Sequence, residues 1–187
     1  MRSFEDRINK IDRHDAIALL RVLLGHPRAV YDLRAGACLR SEEALQDFDD
    51  ALRDVFCEAA CVSLTDLAWQ QATLYPSEGG IEILSATHAA IPAVLSSAAA
   101  TLKLSDDIWR SKPDLDRDEA LSAWQLLSGE DTPSDTTSCR KSAWNGPLDQ
   151  KRVKSIHSSL SGPSDVARIR ASATPESASL FLALPNS

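Results

Sequence analysis

The stretch LAWQQATLYPSEGGIEILSATHAAIPAVLSSAAATL, Leu67–Leu102, decides the fold. Thr65 can cap a short helix carrying Leu67, Ala68, Trp69 and Gln71. The run YPSEGG, Tyr75–Gly80, then breaks it, because proline and paired glycines favour chain reversal. Ile81 and Ile83 link the reversal to a second helix that starts at Ser85 or Thr87. That helix is apolar on nearly every side between Ala89 and Leu102, with Pro92 expected in its first turn, where a missing N–H costs nothing. A helix without a polar face has to be buried, so this element is expected at the centre of the fold.

Working outward, Ser41 followed by Glu42 and Glu43 places a capping hydroxyl and two carboxylates where a helix N-terminus favours them. Leu45, Phe48, Leu52, Val55, Phe56 and Ala59 then form one face. Upstream, Phe4, Ile8 and Ile11 recur at helical spacing, Leu19, Leu20, Leu23 and Leu24 continue a stripe to Gly25, and Pro27 can open a short helix through Leu33. Downstream, Leu115, Ala120, Leu121, Trp124 and Leu127 share a face. Ala, Leu and Ser dominate and only 5% of residues are aromatic, a mixture that favours helices over sheet. The expected fold is all-α: a single helical bundle over residues 2–128, a flexible linker over 129–147, and short basic helices and a tail over 148–187. The C-terminal third is expected to be partly disordered, because Pro133, Gly146, Pro147 and many Ser, Thr and Asp residues bury little.

Net charge is −7, unevenly spread: residues 1–137 carry 13 basic and 24 acidic side chains, whereas 138–172 carry 7 and 2. Neutralising phosphates takes clustered cations, so contact with a polyanion belongs to the C-terminal third. There Arg140, Lys141, Trp144, Lys151, Arg152 and Lys154 combine five cations with an indole that can stack on an unpaired base. They are the candidate nucleic-acid-binding residues, for weak binding of RNA or DNA. The longest apolar stretch, Ala89–Leu102, falls short of the roughly 20 residues a membrane span needs. The four cysteines have no disulfide-framework spacing, and the N-terminal residues are acidic and amphipathic rather than leader-like. An intracellular chain, nuclear or cytoplasmic, is expected.

Other chemistry is weaker. Cys57 and Cys61 are spaced i, i+4, which two zinc thiolates could use, but beside an apolar stripe they read as small buried hydrophobes. The run DFDDAL, Asp47–Leu52, reads as a solvated helix face rather than a magnesium-binding pair. Gly79 and Gly80 lack the further glycine and Lys-Ser/Thr pair of a phosphate loop. No catalytic residue, metal or cofactor is expected.

Leu19, Leu20 and Arg21, then Leu33 and Arg34, Phe48 and Asp49, and Trp69, Gln71, Ala72 and Leu74 follow one another in an order that continues through Gly79, Gly80 and Ile83 to Ala93, Leu95 and Ser97. Leu182, Ala183, Leu184 and Pro185 close the series. The series resembles the region downstream of the palm in reverse transcriptases of non-LTR retrotransposons. The resemblance implies a thumb-like or connecting helical element of an RNA-directed DNA polymerase, with the palm portion as a partner. Two positions depart from it: Glu82 stands where a glycine is expected, and Tyr75 separates Leu74 from Pro76. The palm's Tyr-x-Asp-Asp motif is absent, and polymerisation needs its metal-held carboxylates. A non-catalytic remnant, ancestrally supporting template–primer binding, is therefore expected. The alternative is a stand-alone helical protein-interaction module, with Trp109 and Trp124 near the end of the compact part.

Overall fold

The computed structural model describes residues 11–21, 27–35, 41–83, 85–108, 117–134, 140–160 and 162–173. The fold is all-α, with no strand among the described residues. In chain order the helices are α1 (Arg13–Leu19), α2 (Pro27–Arg34), α3 (Glu42–Ala60), α4 (Asp66–Ala72), α5 (Ala86–Ile108), α6 (Arg117–Ser128), α7 (Lys141–Ser159) and α8 (Pro163–Ser172). A 3₁₀ turn, Pro76–Glu78, lies between α4 and α5. The expected Phe4/Ile8 helix, Trp109, and the closing segment through Pro185 lie outside the described residues.

Where one bundle over 2–128 was expected, the chain forms two compact units, each assembled from separated segments. One gathers residues 1–28, 47–85 and 153–187; the other gathers 29–46 and 86–152. In the first unit, Ala16 and Leu20 of α1 meet Leu52, Val55, Phe56 and Ala59 of α3 and Ile83. A second cluster in this unit joins Leu74, Ile156 and Ile169, with Leu67, Val153 and Leu160 packed around them. In the other unit, Val94 and Leu95 of α5 pack on Ala120 and Trp124 of α6 and on Trp144 and Leu148 of α7.

The local signals of α3 and α4 act as their chemistry requires. Ser41 Oγ accepts from Ala44 N (3.3 Å) and Thr65 Oγ1 from Ala68 N (3.2 Å), each satisfying an amide that a helix start leaves without an intrahelical partner. At the other end of α3, the N–H of Val62 bonds Cys57 O and that of Cys61 bonds Glu58 O, closing the helix with Cys61 at φ 53°. This is the Schellman arrangement, whose left-handed position is usually glycine. Cys61 thus lies beyond the helix and is exposed, while Cys57 is half-buried, so the pair is not the buried one its spacing suggests.

The DFDDAL segment also departs from expectation. Asp47 and Asp50 are exposed, but Asp49 is only 4% exposed and accepts from Ser85 Oγ at 2.9 Å. Residue 49 falls on the core side of α3, one turn from Leu45 and Leu52, and a buried carboxylate is tolerated there because it is hydrogen-bonded. In α5 the helix begins at Ala86, which leaves Pro92 inside it rather than in the first turn. Proline cannot donate to the carbonyl of His88, and the fully buried position of Pro92 offsets part of that loss.

The Tyr75–Ile83 reversal is held by backbone geometry. Ile81 N and Ile83 N both donate to Ala72 O, and Glu82 N donates to Leu74 O (2.8 Å). Gln71 Nε2 donates to Gly79 O at 3.0 Å. Gly79 takes φ 81°, and a Cβ on Gly80 would stand 2.1 Å from Leu74 O and 2.6 Å from Gln71 O. Glu82 takes φ 59°, and its carboxylate pairs with Arg21 at 3.1 Å.

Two substitutions involving glycine should act with opposite signs in urea unfolding. Gly80→Ala pushes a methyl group into backbone and should cost about 3 kcal/mol, whereas Cys61→Gly relieves a left-handed residue and should add about 1 kcal/mol.

Candidate nucleic-acid interface

All six residues singled out from the sequence lie on α7 or immediately before it. The helix begins at Lys141, where a linker through Pro147 was expected. Gly146 and Pro147 are genuine local breakers, but Trp144 and Leu148 stand one turn apart and both are buried against α5 and α6. Trp124, 0% exposed, has one polar atom, and its Nε1 donates to Trp144 O at 2.9 Å. The two indoles meet edge to face with centroids 5.0 Å apart, a geometry worth about 1 kcal/mol beyond the area buried. That packing outweighs the turn signals.

The consequence for the expected interface is a correction. Trp144 is 3% exposed, so its indole is a core residue of its unit and offers no face to a nucleic-acid base. Trp124, expected at an interaction surface, is likewise interior.

The five cations divide by environment. Arg140, Lys151 and Lys154 are exposed. Lys151 also closes the end of α6: its Nζ donates to Leu127 O at 2.8 Å, putting positive charge on carbonyls that a helix C-terminus leaves open. The chain leaves α6 through Gly129 at φ 67°, whose N–H bonds Gln125 O. Arg152 is half-buried with one guanidinium nitrogen 3.7 Å from Asp149 Oδ1. Lys141 is half-buried at the first position of α7. Burial first, then the positive charge of Arg34, holds its amine below the ordinary lysine value, while Asp149 pulls weakly the other way.

Sequence reasoning passed over a further pair. His88 Nε2 of α5 and Asp149 Oδ1 of α7 lie 2.9 Å apart, both side chains about four-fifths buried. Asp149 therefore serves His88 and Arg152 together, and a carboxylate so engaged ties α5 to α7. Its only sequence trace is a single acid within the basic run Arg140–Lys154. Among the described residues no three His, Cys, Asp or Glu side chains stand close enough to hold a metal ion, and no helix is long and apolar enough to cross a membrane.

Trp144→Ala should cost about 4 kcal/mol in urea unfolding, as for a large core aromatic, rather than the near-zero cost of an exposed stacking residue. For Lys141 the sign follows from its lowered value: the folded state resists a charge that the unfolded state accepts. Lys141→Met should therefore be more stable than the parent at neutral pH. The advantage should shrink as pH rises towards 10.5, where the unfolded chain also loses the proton; urea midpoints at the two pH values check this.

Compared with known proteins, the chain matches no family model, no curated protein and no solved structure.

Proposed function

We propose that the chain is a non-catalytic segment related to the post-palm region of a non-LTR reverse transcriptase, with an ancestral role in supporting template–primer binding. The observation that carries this reading is the Tyr75–Ile83 reversal. Three residues that the resemblance names in or beside it do something their identity requires. Gln71 holds the carbonyl of Gly79, Gly79 takes a left-handed turn, and Gly80 has no room for a side chain. Glu82, standing where the resemblance expects glycine, takes φ 59°, a conformation glycine adopts without strain. A substituted glycine position that keeps a glycine conformation is what a diverged copy of such a turn would retain.

Nucleic acid, on this reading, is held through phosphates rather than by stacking. Arg140, Lys151 and Lys154 are the exposed cations that α7 and its N-terminal flank present. Three contacts of this kind give weak, sequence-independent and salt-sensitive binding. Asp149 neutralises part of the remaining basic charge on α7.

A second reading, a protein-interaction module, draws support from α6 and α2. Leu126 is 85% and Leu127 52% exposed, and Tyr31 is 76% exposed. Adjacent exposed leucines on one helix are a feature of association surfaces.

Binding of single-stranded RNA at two ionic strengths distinguishes the readings. The first expects affinity that falls with salt, with each cation changed to Gln among Arg140, Lys151 and Lys154 reducing the log–log slope by about 0.7. Absence of binding at low salt, or an unchanged slope in the triple variant, would defeat it. Concentration-dependent self-association lost on Leu126→Lys would then favour the second.

A further inference from the structure

The end of α6 is held by local hydrogen bonds and by a further one from a different helix. Gly129 N–H bonds Gln125 O at 2.8 Å, Glu130 N–H bonds Ser128 Oγ at 3.2 Å, and Gln125 Nε2 donates to Thr132 Oγ1 at 3.3 Å. The bond from outside is that of Lys151 Nζ to Leu127 O, 2.8 Å long and 24 residues apart in sequence. The amine lies over Gly129, where a Cβ would stand 3.2 Å from Nζ and 3.8 Å from Cε. With a carbonyl in front of it and backbone beneath it, the ammonium is turned towards α6, although the residue as a whole is exposed.

We propose that Lys151 couples polyanion binding to the end of α6: its amine leaves Leu127 O to meet a phosphate, and the last turn of α6 opens. This coupling rests on the reading of Lys151 as a phosphate contact and adds what that contact does to the fold. A phosphate oxygen is a charged acceptor and bonds an ammonium more strongly than a neutral carbonyl does. It is repelled from the place where the amine now stands, because the last carbonyls of α6 present the negative end of the helix dipole. The flexible lysine stem lets the amine turn outwards instead. Leu127 O, which a helix end leaves without an intrahelical donor, then loses its side-chain partner. The turn affected carries Leu126 and Leu127, 85% and 52% exposed, so phosphate occupancy and an ordered apolar end of α6 oppose one another.

The test is hydrogen exchange on the full chain, read at the Gly129 and Glu130 amides, with a short single-stranded RNA and with inorganic tripolyphosphate, each at saturation. Either polyanion should speed exchange at both amides several-fold, while sodium chloride at the same ionic strength should not. Lys151→Met should exchange several-fold faster at these amides without polyanion and gain nothing further when either is added. Lys151→Arg, which keeps charge and reach, should behave as the parent. Arg140→Gln should bind more weakly yet show the same acceleration at saturation. RNA that binds and leaves both amides unchanged or slowed would overturn the coupling and leave the phosphate reading standing. Parent exchange rates in free Lys151→Met would overturn the coupling as well. Acceleration by tripolyphosphate without RNA binding keeps the coupling and removes the nucleic-acid reading, and failure of both polyanions to bind overturns the two together.

Discussion

A buried indole needs an acceptor for its N–H, and the unit built from α5, α6 and α7 is arranged around that need. Trp124 is sealed from solvent, so leaving its Nε1 unbonded would cost about 1–3 kcal/mol. The acceptor is a backbone carbonyl, Trp144 O, which fixes the chain at that point as well as a side chain. Once residue 144 is pinned against α6, Leu148 one turn later falls on the same core. The segment between them is helical despite Gly146 and Pro147. The helical phase then follows, directing Lys141 and Arg152 towards the packed side and leaving Lys151 and Lys154 outside.

The unit containing α3 and α4 rests on constraints of another kind. Gly80 is a steric requirement: carbonyls of Leu74 and Gln71 occupy the space that any side chain would need. Cys61 and Glu82 are conformational compromises, each paying the left-handed penalty of about 1–2 kcal/mol for a residue with a Cβ. Glu82 has compensation in its ion pair with the half-buried Arg21, whereas the Sγ of Cys61 reaches only Glu58 O at 3.5 Å. The carboxylate at 82 thus does something a glycine could not, and its ion pair offsets part of the left-handed strain at that position.

What could be read from the sequence divides by range. The caps of α3 and α4, the Gly79–Gly80 reversal and the helical class depend on neighbours within a few residues, and composition and spacing carry them. The start of α7 could not be read that way, because Gly146 and Pro147 are local signals and the partner that overrides them is 20 residues distant. The Ser85–Asp49 and His88–Asp149 contacts span 36 and 61 residues, separations that leave no periodic trace. Among the candidate site residues, the cations were identifiable as a basic run. Their division into exposed and half-buried groups was not, because that depends on the phase of a helix whose existence was itself non-local.

That division gives one helix two kinds of cation. A phosphate contact uses a charge that stays hydrated until a partner arrives, and Arg140 and Lys154 meet that condition because they are exposed. Lys151 meets it only in part, since its Nζ is already given to the end of α6. Lys141 differs: it is half-buried, and burial together with the charge of Arg34 holds its amine below the ordinary lysine value. Asp149 withdraws Arg152 in a different way, by pairing with it. The excess positive charge of residues 138–172 therefore overstates the field that this helix presents. The helix is better described as a few available cations beside an internal polar seam that joins it to α5, and any polyanion it holds is held by the former alone.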